Sequence, residues 1–310
     1  MKLVFMGTPE FAVPSLRALA SSRHEIAAVV TNPDRPAGRG RKLTPPPIKT
    51  LAEKLELELL QPPSLPDPQF IDHLQQLAVD LFVVVAFSIL PRRLLRLPTT
   101  GSVNLHPSLL PAYRGAAPIV WALFNGDSET GLTTFLLTSR VDAGDILIQE
   151  RVAVGEDETA GELEGRLRDM GARVLVDSID GLEDGSIQPV SQSTQGLSQA
   201  RKLTREDGRI DWNQPSAQIH NRVRGANPVP GAFCEWTDGR VLKIHRCRPC
   251  QGTSSAAPGT VLRADDGGLL VATADGAVEL TQVQPSGKPA MDAAAFLRGH
   301  RVSAGRHFGG

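Results

Sequence analysis

The sequence predicts an α/β protein of two domains. A Rossmann-like N-terminal domain on a parallel sheet is expected over residues 1–188, a connector over 189–205 and an OB-like β-barrel over 206–310. Three observations carry this. Strand-length apolar runs alternate with amphipathic helical stretches through the first part of the chain, the pattern of a parallel sheet covered on both faces. After Trp212 the apolar runs shorten and are broken by Gly, Pro and Asp pairs at near-regular spacing, as in a small barrel. A chain of 310 residues also exceeds the size at which one core usually stops growing.

Taken in order, Lys2 to Phe5 reads as a short buried strand, Gly7-Thr8-Pro9 as a tight turn, and Phe11 to Leu19 as a helix by its apolar spacing. The turn has one Gly where a dinucleotide fingerprint needs GxGxxG, which argues against a nicotinamide or flavin site. Glu25 to Thr31 and Leu81 to Ala86 are further buried-type strands, with crossover helices around Glu53 and over Phe70 to Leu77. A strand ends at Ser102 to Leu105, and strands at Leu132 to Leu137 and Ile146 to Val154 follow, the last leaving the parallel core. Ala160 to Leu182 places Leu163, Leu167, Met170, Val174, Ile179 and Leu182 on one face of a long helix. The chain then turns polar and rich in Ser and Gln. Gly231 to Trp236, Arg240 to His245, Gly259 to Leu262, Gly268 to Ala272 and Ala277 to Gln282 supply five barrel strands.

Hydrophobic content of 41% and charged content of 22% are those of a globular chain. No stretch has the apolar length of a signal peptide core or a membrane span, so a cytoplasmic protein without membrane contact is expected. Three cysteines give no disulfide framework, and Cys247-x-x-Cys250 lacks a second pair, so no metal is expected. The net charge of -1 hides an asymmetry: residues 1–200 hold 18 Lys and Arg against 24 Asp and Glu, residues 201–310 hold 15 against 10, or -6 and +5. A basic second part points to a polyanionic partner.

Residues 101–118, GSVNLHPSLLPAYRGAAP, concentrate an amide, an imidazole, hydroxyls and a guanidinium among prolines. Asn104 and His106, two apart at a strand's end, project to the same side. Ser-Leu-Leu-Pro leaves a stiff loop at the carboxyl end of that strand, where parallel α/β sheets bind ligands. Asp142, in Val-Asp-Ala-Gly-Asp, joins them if its strand neighbours that of Asn104, both loops then opening at one sheet edge. An amide, a titratable imidazole and a carboxylate are the set that acyl transfer to an amine needs.

The run Asn104-Leu105-His106-Pro107-Ser108-Leu109-Leu110-Pro111, with Arg114-Gly115-Ala116-Ala117-Pro118 and Asp142-Ala143-Gly144-Asp145, closely resembles the folate-dependent formyltransferases. The likeness extends over nearly the whole chain, through Gly7-Thr8-Pro9, Pro33-Asp34-Arg35-Pro36-Ala37-Gly38-Arg39-Gly40, Arg209-Ile210-Asp211-Trp212 and Gly287-Lys288. It implies a formyltransferase catalytic domain with 10-formyltetrahydrofolate as co-substrate. The added basic loop and β-domain imply a tRNA acceptor, the α-amino group of methionine on initiator tRNA, formylated for translation initiation by a monomer. The resemblance further implies that Asn104 and His106 hydrogen-bond to the oxyanion, His106 best as the imidazolium. Asp142 would hold His106 and help remove the proton of the amine through water. Implied folate contacts are Ser108, Leu109, Leu110 and Pro111, with Ala86, Phe87 and Ile89. Here the chain departs from the family: Val-Ala-Phe-Ser-Ile-Leu-Pro stands where relatives commonly read Val-Ala-Tyr-Gly and are one residue longer. Formyl transfer to a sugar nucleotide or glycinamide ribonucleotide, and a tRNA-binding module without catalysis, are the alternatives.

Between Asp34 and Lys49 five cations stand against one acid, in an insertion unusually long for a strand-to-helix link. Arg35, Arg39, Arg41 and Lys42 there, with Arg201 and Lys202 in the connector, are expected on tRNA. By resemblance Arg39 wedges at the first base position, so that a weak end pair, cheap to open, marks the initiator.

Overall fold

β1 (Lys2–Gly7) lies inside a sheet because Leu3, Val4, Phe5 and Met6 are all fully buried, two to each face. The computed structural model describes residues 1–37, 40, 42–237, 239–250, 252 and 255–309. It divides into two units, one of residues 1–115, 129–153 and 164–199, the other of residues 116–128, 154–163 and 200–310.

In the first unit β2 (Glu25–Val30), β3 (Leu59–Leu60), β4 (Leu81–Val85), β5 (Gly101–His106), β6 (Glu129–Leu136) and β7 (Ile146–Ala153) complete a seven-stranded sheet of order β7-β6-β5-β4-β1-β2-β3. The five strands from β5 to β3 run parallel, and β6 and β7 are antiparallel additions. Helices Val13–Ala20, Pro47–Lys54 and Pro68–Gln76 each carry Pro in the first turn, where no intrahelical donor is lost. Asp67 caps the last of these by accepting from the Gln69 N–H. One core layer joins Val4, Met6, Phe82 and Val84 of the sheet to Phe70, Ile71 and Leu74 of that helix. The helix Ala160–Asp184 buries Leu163, Leu167, Val174 and Ile179, the face its spacing predicts.

The direction of β6 changes how the site is assembled. Its register pairs Asn104 with Phe135 and His106 with Thr133, while Leu136 at its end lies beside Val103. The Asn104 and Asp142 strands are indeed neighbours, but they do not deliver their following loops to one edge. Instead residues 137–145 fold back along the sheet to carry Asp142 up to His106.

The connector is also placed differently. Residues 189–199 belong to the first unit, where Val190 bridges Ile146. Residues 116–128 group with the C-terminal part, because the apolar helix Pro118–Asn125 packs on helix Ser216–Gly225, Phe124 lying where a Cβ on Gly225 would stand.

The second unit is an antiparallel sheet of β8 (Ala232–Thr237), β9 (Arg240–Cys250), β10 (Val261–Asp265), β11 (Gly268–Ala272) and β12 (Ala277–Pro285), in the order β8-β9-β12-β11-β10, with Met291–Asp292 pairing on β12. Bridges Glu235↔Gly309 and Thr260↔His307 lay the last described residues against part of both sheet edges, which partly covers edges such a sheet would otherwise expose. Trp212, Trp236, Phe296 and Phe308 fill its core. Among the described residues no helix is long and apolar enough to cross a membrane.

Candidate active site

His106 ends β5 with its side chain 6% exposed. Its Nε2 lies 2.9 Å from the Tyr113 carbonyl oxygen. A carbonyl only accepts, so Nε2 carries the proton and donates. Nδ1 faces Asp142, 3.8 Å from Oδ2. Burial pushes the imidazole pKa down by more than the Asp142 carboxylate and the Tyr113 carbonyl raise it. Nε2 thus carries a ring proton, and burial works against a second one on Nδ1.

The loop after His106 closes on itself. Ser108 Oγ donates to the Ala112 carbonyl at 2.6 Å. Thr133 Oγ1, buried on β6, donates to the Ser108 carbonyl at 2.6 Å and accepts from the Leu110 N–H at 3.2 Å and from Gln149 Nε2 at 3.0 Å. Gln149 also donates to the Leu110 carbonyl at 2.7 Å. Leu109 lies against the bare Cα of Gly131, where a Cβ would stand 2.4 Å from its Cδ2. Ser108, Leu109, Leu110 and Pro111 thus form a seam between loop and sheet. They are not among the residues lining the cleft that holds Asn104.

That cleft, about 100 Å³, is bounded by Phe87, Ser88, Ile89 and Leu90 on one side and by residues 137–142 on the other. Asn104 and Asp142 both line it. Asn104 is half-buried, and among the described residues its carboxamide has no hydrogen-bond partner. Val84, Leu95 and Leu137 make the remaining walls apolar. Ala86 supplies the turn into this loop at φ 47°, the left-handed conformation that a non-glycine residue adopts at a cost of about 1 kcal/mol. It is exposed and turns the chain, whereas Phe87 and Ile89 reach the cleft. A second hollow of about 380 Å³ shares the Phe87–Leu90 wall and has Arg35 on its rim.

Three devices hold the folded-back segment. Gly144 passes so close to β6 that a Cβ would fall 1.6 Å from the Leu136 carbonyl oxygen, so only glycine fits. Asp142, at φ 47°, accepts the Gly115 N–H on Oδ2 at 2.8 Å. Gln192 Nε2 donates to the Asp142 and Gly144 carbonyls at 3.0 and 2.7 Å, while its Oε1 accepts from the Arg114 guanidinium. Sequence reasoning missed Gln192, Thr133, Gln149 and the Tyr113 carbonyl. A Thr-Thr pair inside an apolar strand was a usable signal for Thr133; Gln192 lies in a Ser- and Gln-rich stretch with none.

Of the basic positions, Arg35 and Lys42 are exposed on two short paired strands, Arg35–Ala37 and Lys42–Thr44. Lys49 is not free. It pairs with Asp34 at 2.9 Å, and Gln61 donates to the same carboxylate, so the base of the insertion is clamped. Arg39 and Arg41 lie outside the described residues. Arg201 is held by Asp207 and sits 4.9 Å over the Trp121 ring, a structural engagement, while Lys202 is exposed.

The chain matches the formyl transferase model over residues 1–179 and the formyl transferase C-terminal domain model over residues 202–301. It is 42% identical to the methionyl-tRNA formyltransferase of Geobacter sulfurreducens over 310 residues, covering 100% of this chain and 97% of that one. It is 45% identical to that of Heliobacterium modesticaldum over 318 residues, covering 100% of both. The crystal structure of WlaRD, a sugar 3N-formyl transferase, in the presence of dTDP and 5-N-formyl-THF, shares the fold at a TM-score of 0.66 and 17% identity, over 93% of this chain and 99% of that one. With both domain models matched and full-length identity at this level, the chain belongs to the methionyl-tRNA formyltransferase family.

Proposed function

We propose that this enzyme transfers the formyl group of 10-formyltetrahydrofolate to the α-amino group of methionine on initiator tRNA, giving N-formylmethionyl-tRNA for translation initiation. The observation that carries the reading is one small cleft faced by the Asn104 carboxamide, which has no partner among the described residues, and by the Asp142 carboxylate, which is backed by the buried His106 imidazole at 3.8 Å. Its flat apolar walls and the open backbone of Phe87 to Leu90 suit the amide-like edge of a pterin. On this reading the expected folate contacts Phe87 and Ile89 are kept and joined by Ser88, Leu90 and the folded-back segment, in place of Ala86 and Ser108–Pro111.

When bound, formyl-folate supplies an electrophilic carbon attached to N10. Asn104 donates to the formyl oxygen as negative charge develops there, in a site where a preorganised donor is worth most. Asp142 is the member of the acid–imidazole pair that faces the cleft. It receives the proton of the attacking amine, and the bare Nδ1 of His106 is the lone pair that can hold it. The imidazolium so formed is supported by the carboxylate at 3.8 Å and by the Tyr113 carbonyl at 2.9 Å. The same proton returns to N10 as the carbon–nitrogen bond breaks, so no net charge is left in the protein.

Arg35 and Lys42, exposed on two paired strands beside the Asp34, Lys49 and Gln61 clamp, are proposed to meet the acceptor stem. Arg39 is proposed to choose the initiator by its weak end pair. The reading is tested by single-turnover transfer from 10-formyltetrahydrofolate to methionyl-initiator tRNA, methionyl-elongator tRNA and a dTDP-amino sugar. Formylation of the initiator species alone is expected. Transfer to the amino sugar, or none to either tRNA, overturns it. Arg39→Leu should lose initiator-over-elongator discrimination; an equal loss on a small amine lacking the tRNA body contradicts that role.

A further inference from the structure

Three separate stretches of the first unit meet on the Asp34 carboxylate. Lys49, in the first turn of helix Pro47–Lys54, donates through Nζ to Oδ1 at 3.0 Å and to Oδ2 at 2.9 Å. Gln61, just after β3, donates through Nε2 to the same Oδ1 and to the Asn32 carbonyl, both at 2.9 Å. Asn32 follows β2, and its N–H donates at 3.3 Å to Thr8 Oγ1, in the turn after β1. Residues 35–46 therefore leave the sheet and rejoin the fold at points locked to one another, while Arg35 and Lys42 stand exposed between them. Just before Lys49 the chain is seated in the core, Ile48 being fully buried. The helix itself gives no reason for Lys49. A cation in the first turn lies at the positive end of the helix dipole, and a half-exposed ion pair adds little stability once the rotamer freedom of long side chains is lost. Gln61 and Lys49 hold the Asp34 carboxyl below its ordinary range, so the pair stays ionised at neutral pH. What the three residues supply is a fixed direction for the insertion.

Building on the function proposed above, we propose that Asp34, Lys49 and Gln61 are positioning residues for acceptor selection, fixing the base of the insertion so that its cations reach the tRNA end in one orientation. Selection by a weak end pair requires work on that pair, and a wedge does work only against a base that does not yield. On a loose base the insertion swings aside from a closed end and docks there as readily as on an open one. Both acceptors are then bound more weakly, and alike.

Lys49→Met, made in the full chain, keeps the side-chain stem and removes the charge. Amide hydrogen exchange of residues 35–37 and 42–44 should quicken about tenfold, with β1 and β4 unaffected. The initiator-over-elongator ratio in kcat/KM should fall about tenfold, through KM rather than kcat. Lys49→Arg, which keeps two donors for the carboxylate, should restore both readouts. Asp34→Asn removes the charge from the other side and should match Lys49→Met; the double variant should be no worse than either, since one pair is lost in all three. Lys54→Met, an exposed charge on the same helix, should change neither readout. Unchanged exchange in Lys49→Met and Asp34→Asn overturns the clamp, and an equal loss in Lys54→Met assigns the effect to the general field and overturns it too. Quickened exchange with an unaltered acceptor ratio overturns the role in selection alone. Failure of the unmodified chain to formylate either tRNA overturns the function proposed above, and the role in selection with it.

Discussion

Asp142→Asn removes both the proton acceptor and the charge that the proposed mechanism needs while keeping the shape. The asparagine oxygen can still accept the Gly115 N–H at 2.8 Å, and the backbone carbonyl keeps its bond from Gln192, so the folded-back segment stays in place. What disappears is a negative charge 3.8 Å from His106 Nδ1, on a side chain 13% exposed. At an effective dielectric near 20 a pair at that distance is worth about 4 kcal/mol, and at 1.36 kcal/mol per decade this is about 10³ in the stability of the transient imidazolium. The plateau of kcat should fall by roughly two to three decades. The pH profile should move as well. Burial already holds the His106 pKa below its ordinary value, and Asp142 is the main influence raising it. Without that charge the pKa falls further, so the acid limb of kcat must shift to lower pH even as the plateau drops. Formylation of methionyl-initiator tRNA across pH 5 to 8, at saturating substrates, reads both. A plateau within a few-fold of the unmodified enzyme, or an acid limb that stays or moves up, refutes the reasoning; a merely structural role would lower the plateau without moving the limb.

The other expectations are more compact. Asn104→Ala should lose about 10²–10³ in kcat with KM little changed, since the amide acts on charge that exists only in the transition state; a change confined to KM makes it a binding residue. Gln192→Glu keeps a partner for Arg114 but removes both donors to the Asp142 and Gly144 carbonyls. Hydrogen exchange of residues 137–145 should quicken and kcat should fall about tenfold; unchanged exchange denies the clamp. Thr133→Val leaves the buried Ser108 carbonyl and Leu110 N–H unmatched and should cost about 2–3 kcal/mol in urea unfolding. Burial lowers the pKa of His24, His106 and His220. The unfolded chain then binds more protons below about pH 6.5, so stability is full above that value and is lost as pH falls through the folded-state pKa values. Urea midpoints at pH 7.5 and 5.5 should show this, and His220→Asn should flatten the dependence.

The parallel half of the fold was legible because its strands carry their burial in the sequence. LVFM and LFVVV are apolar at every position, and only a strand covered on both faces needs that. The barrel strands were legible by their turns. Strand direction was not: β6, Glu129–Leu136, is as continuously buried as the parallel strands, so nothing in its composition says that it runs the other way. The expectation that two loops share an edge failed for that reason alone. The domain boundary was hidden similarly. Helix Pro118–Asn125 looks like one more apolar crossover, and its actual partner, the face of Ser216–Gly225, is far away in the chain.

The motif itself divides into two kinds of residue that sequence cannot separate. Asn104 and Asp142 face the cleft, whereas Ser108, Arg114 and Gly144 never do; their polar groups or missing side chains shape the path that puts the first two there. Arg114 is the clearest case. A guanidinium beside a reaction site invites an electrostatic role, yet it orients Gln192, which holds two carbonyls, which fix where the Asp142 carboxylate points. Its influence on chemistry is therefore indirect and geometric. A carboxylate on a folded-back loop, opposite a buried imidazole at 3.8 Å, is sensitive to displacements of a few tenths of an ångström, because Coulomb coupling and proton transfer both depend on that gap. A site assembled from loops needs this much internal hydrogen bonding to keep that gap fixed.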